Sequence, residues 1–569
     1  MEEQNMKKNI INMFLCAGFA VCAAVSCKDV VDIPASDRLT QDVIWSGDEA
    51  ILDQYVIGLY GAVREKSTLY MLTNQYTDCM TDVLKDGDYM QERRYNRLNI
   101  GTQVFTDNDA SILGNWADSY TRIRRFNEFF RDVETYGGMY DEAFIKKRKA
   151  EIRFLRAMQY FYIMRVYGYE NDTEDRPGGM ILRDKLEGPA GNNKQRMRYA
   201  ESWQWIIDEI KSAATDLPQS WEESNFTRMT SVAAYGFLSR VALYAKQWDE
   251  VISAADECAK LGAALDPSYA NVFADQKSVE NIMTISFLAD GLSHNADAVF
   301  RPSGDIPHHN NRASAYVICP TAELADSYEM ADGTAFSWAD YNANPAAWGG
   351  DPFSGREPRF YATIIYNNED WEGRKIESFV GGVDGIQEFE ETAGRNSTCT
   401  GYYYRKFITE NDHSWDEKGS NHFDILLRYG EVLLNKAEAL AQKDWSANSV
   451  DALKALNDIR GRVGLPAKPA ASLEEFMLLL EQERKVELAG ENFRYWDLRR
   501  WRLAVERLND KSFHGVKITK NPDDTFKYEE CDIDAGSKRL FMDRFYCFAL
   551  PLSELNNNTA LNHVNNPGW

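Results

Sequence analysis

Metal and nucleophile chemistry is sparse in this chain. Only seven histidines occur in 569 residues. No His-Glu-x-x-His segment exists, and His308 and His309 are adjacent, so they point differently on ordinary backbone. Gly291-Leu292-Ser293-His294-Asn295 fails the nucleophile-elbow pattern at its last position. Gly381-Gly382-Val383-Asp384-Gly385 lacks the lysine and the helix context of a phosphate loop. No Cys-x-x-Cys pair is present, which removes both a zinc cluster and a thioredoxin-type motif. Positive charge is also short. Sixty-four Lys and Arg face 88 Asp and Glu, a net −24. Such a surface excludes a nucleic-acid binder and electrostatic docking on anionic lipid. Asp86-Gly87-Asp88 starts like a calcium loop, but no twelve-residue ligand series follows, so no cofactor is expected and bound calcium is only a guess.

What is present begins at the N-terminus. Lys7 and Lys8 precede an uncharged apolar run, Ile10 to Val25, of signal-peptide length and too short for a comfortable membrane span. Met6 is a second candidate start. The run ends Ala24-Val25-Ser26-Cys27, small residues before a cysteine, as in a bacterial lipobox. Residues 1–26 are therefore expected to leave as a lipoprotein signal, with Cys27 lipidated. Lys28-Asp29 after that cysteine resembles the surface-export signals of some Gram-negative lipoproteins. No other stretch approaches eighteen apolar residues, so the mature chain is expected to be anchored rather than spanning. The six remaining cysteines, Cys79, Cys258, Cys319, Cys399, Cys531 and Cys547, are widely scattered and specify no disulfide.

Apolar residues make up 44% of the chain, enough for a large core. Residues 141–167 carry apolar side chains at three- and four-residue steps, and Gly168 sits where such a helix stops. Ser231 to Ala245 and Asp249 to Leu261 read as a helical hairpin, with Ala242, Ala254 and Ala255 where the helices approach closely. A second pair is expected at 424–442 and 448–463. Ser472-Leu473-Glu474-Glu475 reads as a capping box opening a further helix. Residues 264–422 change character: Gly, Pro, Asn, Asp and Trp become dense, as in SWADYNANPAAWGGDPF at 337–353, with short strands such as Tyr361 to Tyr366. Residues 67–115 have the same look. The expected class is mostly α: a tetratricopeptide-like helical-hairpin scaffold, about 40–263 and 423–510, with a long loop-rich insert containing short β-strands at about 264–422. Residues 511–569 are expected to form a closing segment of the same single unit, 27–569.

One stretch concentrates charge: ERKVELAGENFRYWDLRRWR, Glu483 to Arg502. Glu483, Glu487 and Glu491 recur every four residues, one face of a helix. Arg484, Arg494, Arg499 and Arg500 are near enough in sequence to neutralise them. Paired carboxylates could serve a glycosidase, but 88 acidic residues guarantee that some pair is found. The expectation is an interlocked helix end, with Trp496 and Trp501 largely buried.

The order of motifs resembles the SusD/RagB family over nearly the whole mature chain. After Cys27 come Trp116 to Asn127 (WADSYTRIRRFN) and Arg153-Phe154-Leu155-Arg156-Ala157 with Tyr160 and Gly168. Pro320-Thr321 through Asp332-Gly333 follows, then Arg356-Glu357-Pro358-Arg359, with Glu where the family has Asp. Leu427 to Leu434 with Ala437-Glu438-Ala439 has Gly430 in place of Ala; the charged stretch and Asn565-Asn566-Pro567-Gly568-Trp569 complete the series. The resemblance implies a non-enzymatic outer-membrane lipoprotein facing the cell exterior. It implies binding of a glycan and delivery to a SusC-like TonB-dependent barrel transporter. A peptide-binding lipoprotein of the same architecture, a surface endo-glycosidase and a protein-only adaptor are the alternatives. The family has no invariant binding motif, so contacts are chosen by position between landmarks. They are Asp82, Tyr89, Arg94, Tyr95 and Asn96 before the Trp116 helix, and His309, Asn310, Tyr316, Trp338, Trp348 and Arg374 in the loop-rich insert. Fourteen Trp and 29 Tyr suit stacking on sugar rings.

Overall fold

The computed structural model describes residues 40–69, 76–87, 94–99, 113, 116–188, 191, 193–305, 317–385 and 397–569, without the side chains of residues 94 and 96. Cys27 and the signal segment lie outside the described residues.

The frame is a row of helices: α1 (Glu49–Leu59), α2 (Trp116–Tyr136), α3 (Glu142–Tyr167), α4 (Tyr199–Asp216), α5 (Ser231–Tyr244), α6 (Trp248–Lys260), α7 (Tyr429–Lys443), α8 (Trp445–Arg462), α9 (Leu473–Glu487) and α10 (Arg494–Arg500). From α2 to α8 each helix packs on the next, as stacked hairpins do. Helix α3 is buried nearly all round, which makes it the central post. Asp141 opens it by accepting from the Phe144 N–H. Gly168 ends it for reasons of space: a Cβ there would lie 2.5 Å from the Met164 carbonyl and 3.1 Å from the Tyr199 ring. The hairpin α5–α6 falls within a residue of its expected limits, with Ala242, Ala254 and Ala255 buried at the close approach.

The second pair differs from expectation at its start. Residues 424–428 are a strand. The small sheets involved are β1 (Leu84–Asp86) with β3 (Ile318–Pro320), and β2 (Asn281–Ile285) with β4 (Asp424–Arg428), each antiparallel. The short apolar run Ile425-Leu426-Leu427 satisfies either period, and pairing with β2 decides it. Helix α7 starts only at Tyr429, and α8 already at Trp445, where Asp444 caps it through the Ala447 N–H. The expected strand at 361–366 shrinks to Ile364–Ile365, because Pro358 starts a helical turn that runs to Thr363. Ser472 caps α9 through the Glu475 N–H, while Glu475 reaches back to the Ala471 N–H rather than to Ser472 itself. Near the C-terminus β5 (His514–Lys520) and β6 (Phe526–Asp532) form a hairpin. Asn566 then ties the chain end to the carbonyls of Tyr167 and Phe548.

Candidate functional site

Glu483 to Arg502 is not one helix. Helix α9 stops at Glu487; Gly490 and Asn492 turn the chain in the left-handed region, at φ +69° and +68°, before α10. Glu491 therefore leaves the shared helical face, yet it converges on the same cations. Arg359 donates to Glu483 at 2.5 Å and to Glu487 at 3.0 Å. Arg428 reaches Glu487 at 2.7 Å and Glu491 at 2.7 Å. Arg460 completes Glu483, Arg462 completes Glu487, and Lys406 completes Glu491. None of these cations is a sequence neighbour of the glutamates. Arg484 instead holds Asp497, and Arg494 holds Asp82 and Glu481. Burial alone would raise the Glu487 carboxyl, but Arg462, Arg428 and Arg359 hold it well below its ordinary range. A carboxylate so engaged has no free lone pair or proton to offer a substrate. This stretch is a locked joint between the helical row and the insert. Trp496 is buried, as expected, whereas Trp501 is only half-buried.

The position-chosen residues fall into three groups. Tyr89, His309, Asn310 and Tyr316 lie outside the described residues, as do the side chains of Arg94 and Asn96, whose backbone forms part of the short helix Arg94–Asn99. Asp82 and Tyr95 are interior. Asp82 takes Arg494 at 2.9 and 3.1 Å and Lys485 at 3.0 Å; burial would raise its pKa, and these two cations pull it far down. Tyr95 is 2% exposed, and its hydroxyl accepts from the Tyr76 N–H. Both are used by the scaffold, and neither presents a polar atom to a ligand.

Trp338, Trp348 and Arg374 are at the surface. The two indoles share neighbours: Phe336 meets Trp338 edge-on at 5.2 Å and Trp348 at 5.9 Å, and Tyr341 lies about equally far from both, at 6.0 Å. Trp338 Nε1 donates to both oxygens of Asp326 at 3.1 Å, which fixes the ring. Trp348 precedes Gly349 and Gly350, both at positive φ, so the chain turns directly after it. Tyr528, from β6, closes the cluster. The result is a rigid, half-buried aromatic platform. Arg374 serves a separate cluster. It bridges Asp305 at 2.7 Å and Asp384 at 2.6 Å, while Trp371 Nε1 donates to Asp305 at 2.7 Å. No hydrogen bond or ring contact joins the two clusters among the described residues.

Long-range bonds bring the flanks of the undescribed segments together. Gly87 N donates to Val317 O, and Gly304 N donates to Asp384. Tyr403 Oη receives the Thr398 N–H and donates to the Asp384 carbonyl. Residues flanking positions 89, 309, 310 and 316 thus converge on one part of the insert.

A cavity of about 520 Å³ also opens in the insert, walled by Phe273, Phe287, Phe407 and Phe423 with Gln276 and Asn421 at its polar edge. Apolar rings beside planar amides suit a sugar. Sequence reasoning named none of these residues. They come from four separate segments, and no local pattern links them. The partners of Trp338 were half legible: Phe336 and Tyr341 share its stretch, whereas Tyr528 is far away in sequence.

A family model described as "SusD family" matches residues 279–569. A second, described as "Starch-binding associating with outer membrane", matches residues 35–243. A SusD-like protein of Bacteroides ovatus is 23% identical over 453 residues, which is 75% of this chain and 73% of that protein. Among solved structures, a SusD-like protein from Bacteroides fragilis superposes with a TM-score of 0.76 at 26% identity, covering 94% of this chain and 100% of the other. A SusD-like carbohydrate binding protein from the same species gives a TM-score of 0.72 at 24% identity, covering 91% and 100%.

Proposed function

Because the chain belongs to the SusD family, we propose that it captures a glycan at the cell surface and passes it to a SusC-like TonB-dependent transporter, without cleaving it. The family description couples starch binding with the outer membrane. The observation that carries the reading is the Trp338–Trp348 platform. Two half-buried indoles share Phe336 and Tyr341 as ring neighbours and Asp326 fixes Trp338, an arrangement that suits stacking on a pyranose ring. The carboxylates Asp305 and Asp384, both withdrawn from solvent, share Arg374, so this pair does not have the free acid and free base of a glycosidase. Asp82 and Tyr95 drop out as contacts on this reading. Tyr89, Arg94, Asn96, His309, Asn310 and Tyr316 stay in as contacts. Cys27 anchors the mature chain through lipid, leaving it outside the cell.

Calorimetry against a glycan panel and a peptide pool tests the reading. A glycan should bind, and Trp348→Ala should weaken it roughly three- to tenfold, the worth of one aromatic contact. Peptide binding without glycan binding would replace the reading with peptide capture, and release of shortened product on long incubation would replace it with an endo-glycosidase. Cys27→Ala should move the protein from the membrane to the soluble fraction.

A further inference from the structure

The insert is not the only concave region. A cavity of about 320 Å³ opens in the helical row, where the ends of α3 and α5 meet α7 and the last turn of α10. Five cations line it, among them Arg165, Arg499 and Arg502, against only Glu170 and Glu438.

The two carboxylates are already engaged. Glu438 receives Arg500 and the Trp501 Nε1–H, at 2.8 Å for the latter. Glu170 receives Lys246 and lies 3.9 Å from Arg502. Arg165 and Arg499 are left without a counter-charge. No acceptor meets the Arg165 guanidinium among the described residues, and its buried Nε has no partner. The group instead lies 3.8 Å from the Trp496 ring centre and 4.7 Å from that of Tyr162. Arg499 donates to backbone carbonyls, of Arg165 at 3.3 Å, Val166 at 3.4 Å and Tyr546 at 2.8 Å, and lies over the rings of Tyr495, Trp496 and Phe548, with no carboxylate among its partners. Burial lowers both guanidinium pKa values, that of Arg165 to about 10. The Trp496 Nε1–H, also at the cavity wall, is buried without an acceptor.

Guanidinium groups withdrawn from water without a counter-charge are costly, and an incoming anion would offset that cost. The shape narrows the anion. A guanidinium grips a planar carboxylate through two parallel bonds. Indole and phenol walls, Trp501 and Tyr199, suit the flat face of a ring. The volume sits at the small end of ligand pockets, roughly 300–1,000 Å³, room for one or two sugar rings rather than a polymer.

We propose that this cavity is a second binding site, which takes a uronic acid residue with its carboxylate on Arg165 and Arg499 and its ring against Trp501 and Tyr199. The site shares no residue with the Trp338–Trp348 platform and does not depend on what that platform binds.

Sodium glucuronate, glucose and sodium sulfate titrated separately into the full chain, with tryptophan fluorescence and calorimetry as readouts, test the site. Glucuronate should bind at least tenfold more tightly than either glucose or sulfate. Arg165→Gln should erase that difference while Trp348→Ala preserves it. Arg165 gives up no hydrogen bond or ion pair on substitution, so an unchanged melting midpoint is expected. If that variant nevertheless fails to fold, Arg502→Gln at the half-exposed rim should weaken glucuronate severalfold. Equal binding of glucuronate and glucose, sulfate as tight as glucuronate, or variants that bind as the parent does would overturn the proposal.

Discussion

Two groups of arginines, which meet in sequence only at Arg494 and Arg499, have opposite surroundings. Up to Arg494, every cation at the α9–α10 joint faces a carboxylate: Arg359, Arg428, Arg460 and Arg462 enclose Glu483, Glu487 and Glu491, and Arg494 holds Asp82. One turn later Arg499 meets carbonyls and rings but no carboxylate, and its neighbour Arg165 meets only rings. Arg494 and Arg499 share the same charge-dense stretch of sequence. What separates scaffold from site is whether the charge is already compensated inside the fold.

The comparison breaks most severely at its compensated end. Glu487→Ala takes one carboxylate at once from Arg359, Arg428 and Arg462, which keep Glu483, Glu491 and Glu280 respectively, and leaves that positive cluster under-compensated. It should cost about 3–5 kcal/mol in urea unfolding, the usual effect of removing one partner from a buried ion pair, while the folded fraction keeps its glycan affinity. A cost no greater than that of Arg165→Gln would show that compensation does not distinguish the two places.

Backbone comes next. Gly490 turns the joint at positive φ, and a Cβ there would sit 2.2 Å from Tyr404 Oη. Gly490→Ala should destabilise by about 1–3 kcal/mol in the same assay, the scale of local strain at a left-handed position.

The joint should also show itself in acid. Burial works against the charged forms of Glu487, Glu491 and Asp497, but their arginines and Lys406 hold all three below ordinary values. Their stabilisation is therefore present above the unfolded pKa of about 4 and lost as pH falls through the lower folded values. Asp78, which accepts from the N–H groups of Asn492 and Arg494, has the opposite sign. Burial pushes it up to about 7. Its contribution is full below about pH 4 and is lost as pH rises through 7. Asp78→Asn should flatten the stability curve between about pH 4 and 7 and leave the acid limb, the fall below pH 4, unchanged.

The smallest effect belongs to the uncompensated end. Arg165→Gln removes ring contacts only and should change stability by about 1 kcal/mol or less.

Legibility followed the range of the interactions. The stop of α3 at Gly168 and the hairpin α5–α6 rest on local periodicity and close packing, and both were readable. The strand β4 was not, because its partner β2 lies in a distant segment. The three glutamates were expected to be neutralised, and they are, but by Arg359, Arg428, Arg460 and Arg462, which no spacing rule connects to them. Asp82 looked like a loop residue available to ligand for the same reason: its cation, Arg494, is 412 residues away. Trp338 and Trp348 share one stretch and came together as a local pattern suggests. The Asp305–Arg374–Asp384 bridge, assembled from separate loops, gave no local signal.

The pairing of β2 with β4 has an evolutionary side. It closes a loop of roughly 140 residues with one short ladder, Asn281–Ile285 against Asp424–Arg428. Loop-closure entropy rises only logarithmically, so doubling the enclosed length adds about 0.6 kcal/mol. The clasp thus lets the loops of the enclosed segment vary in length at little cost. Insertions and deletions in those loops leave the helical frame almost untouched as long as Arg359 and Lys406, which lock onto Glu483, Glu487 and Glu491, stay in place.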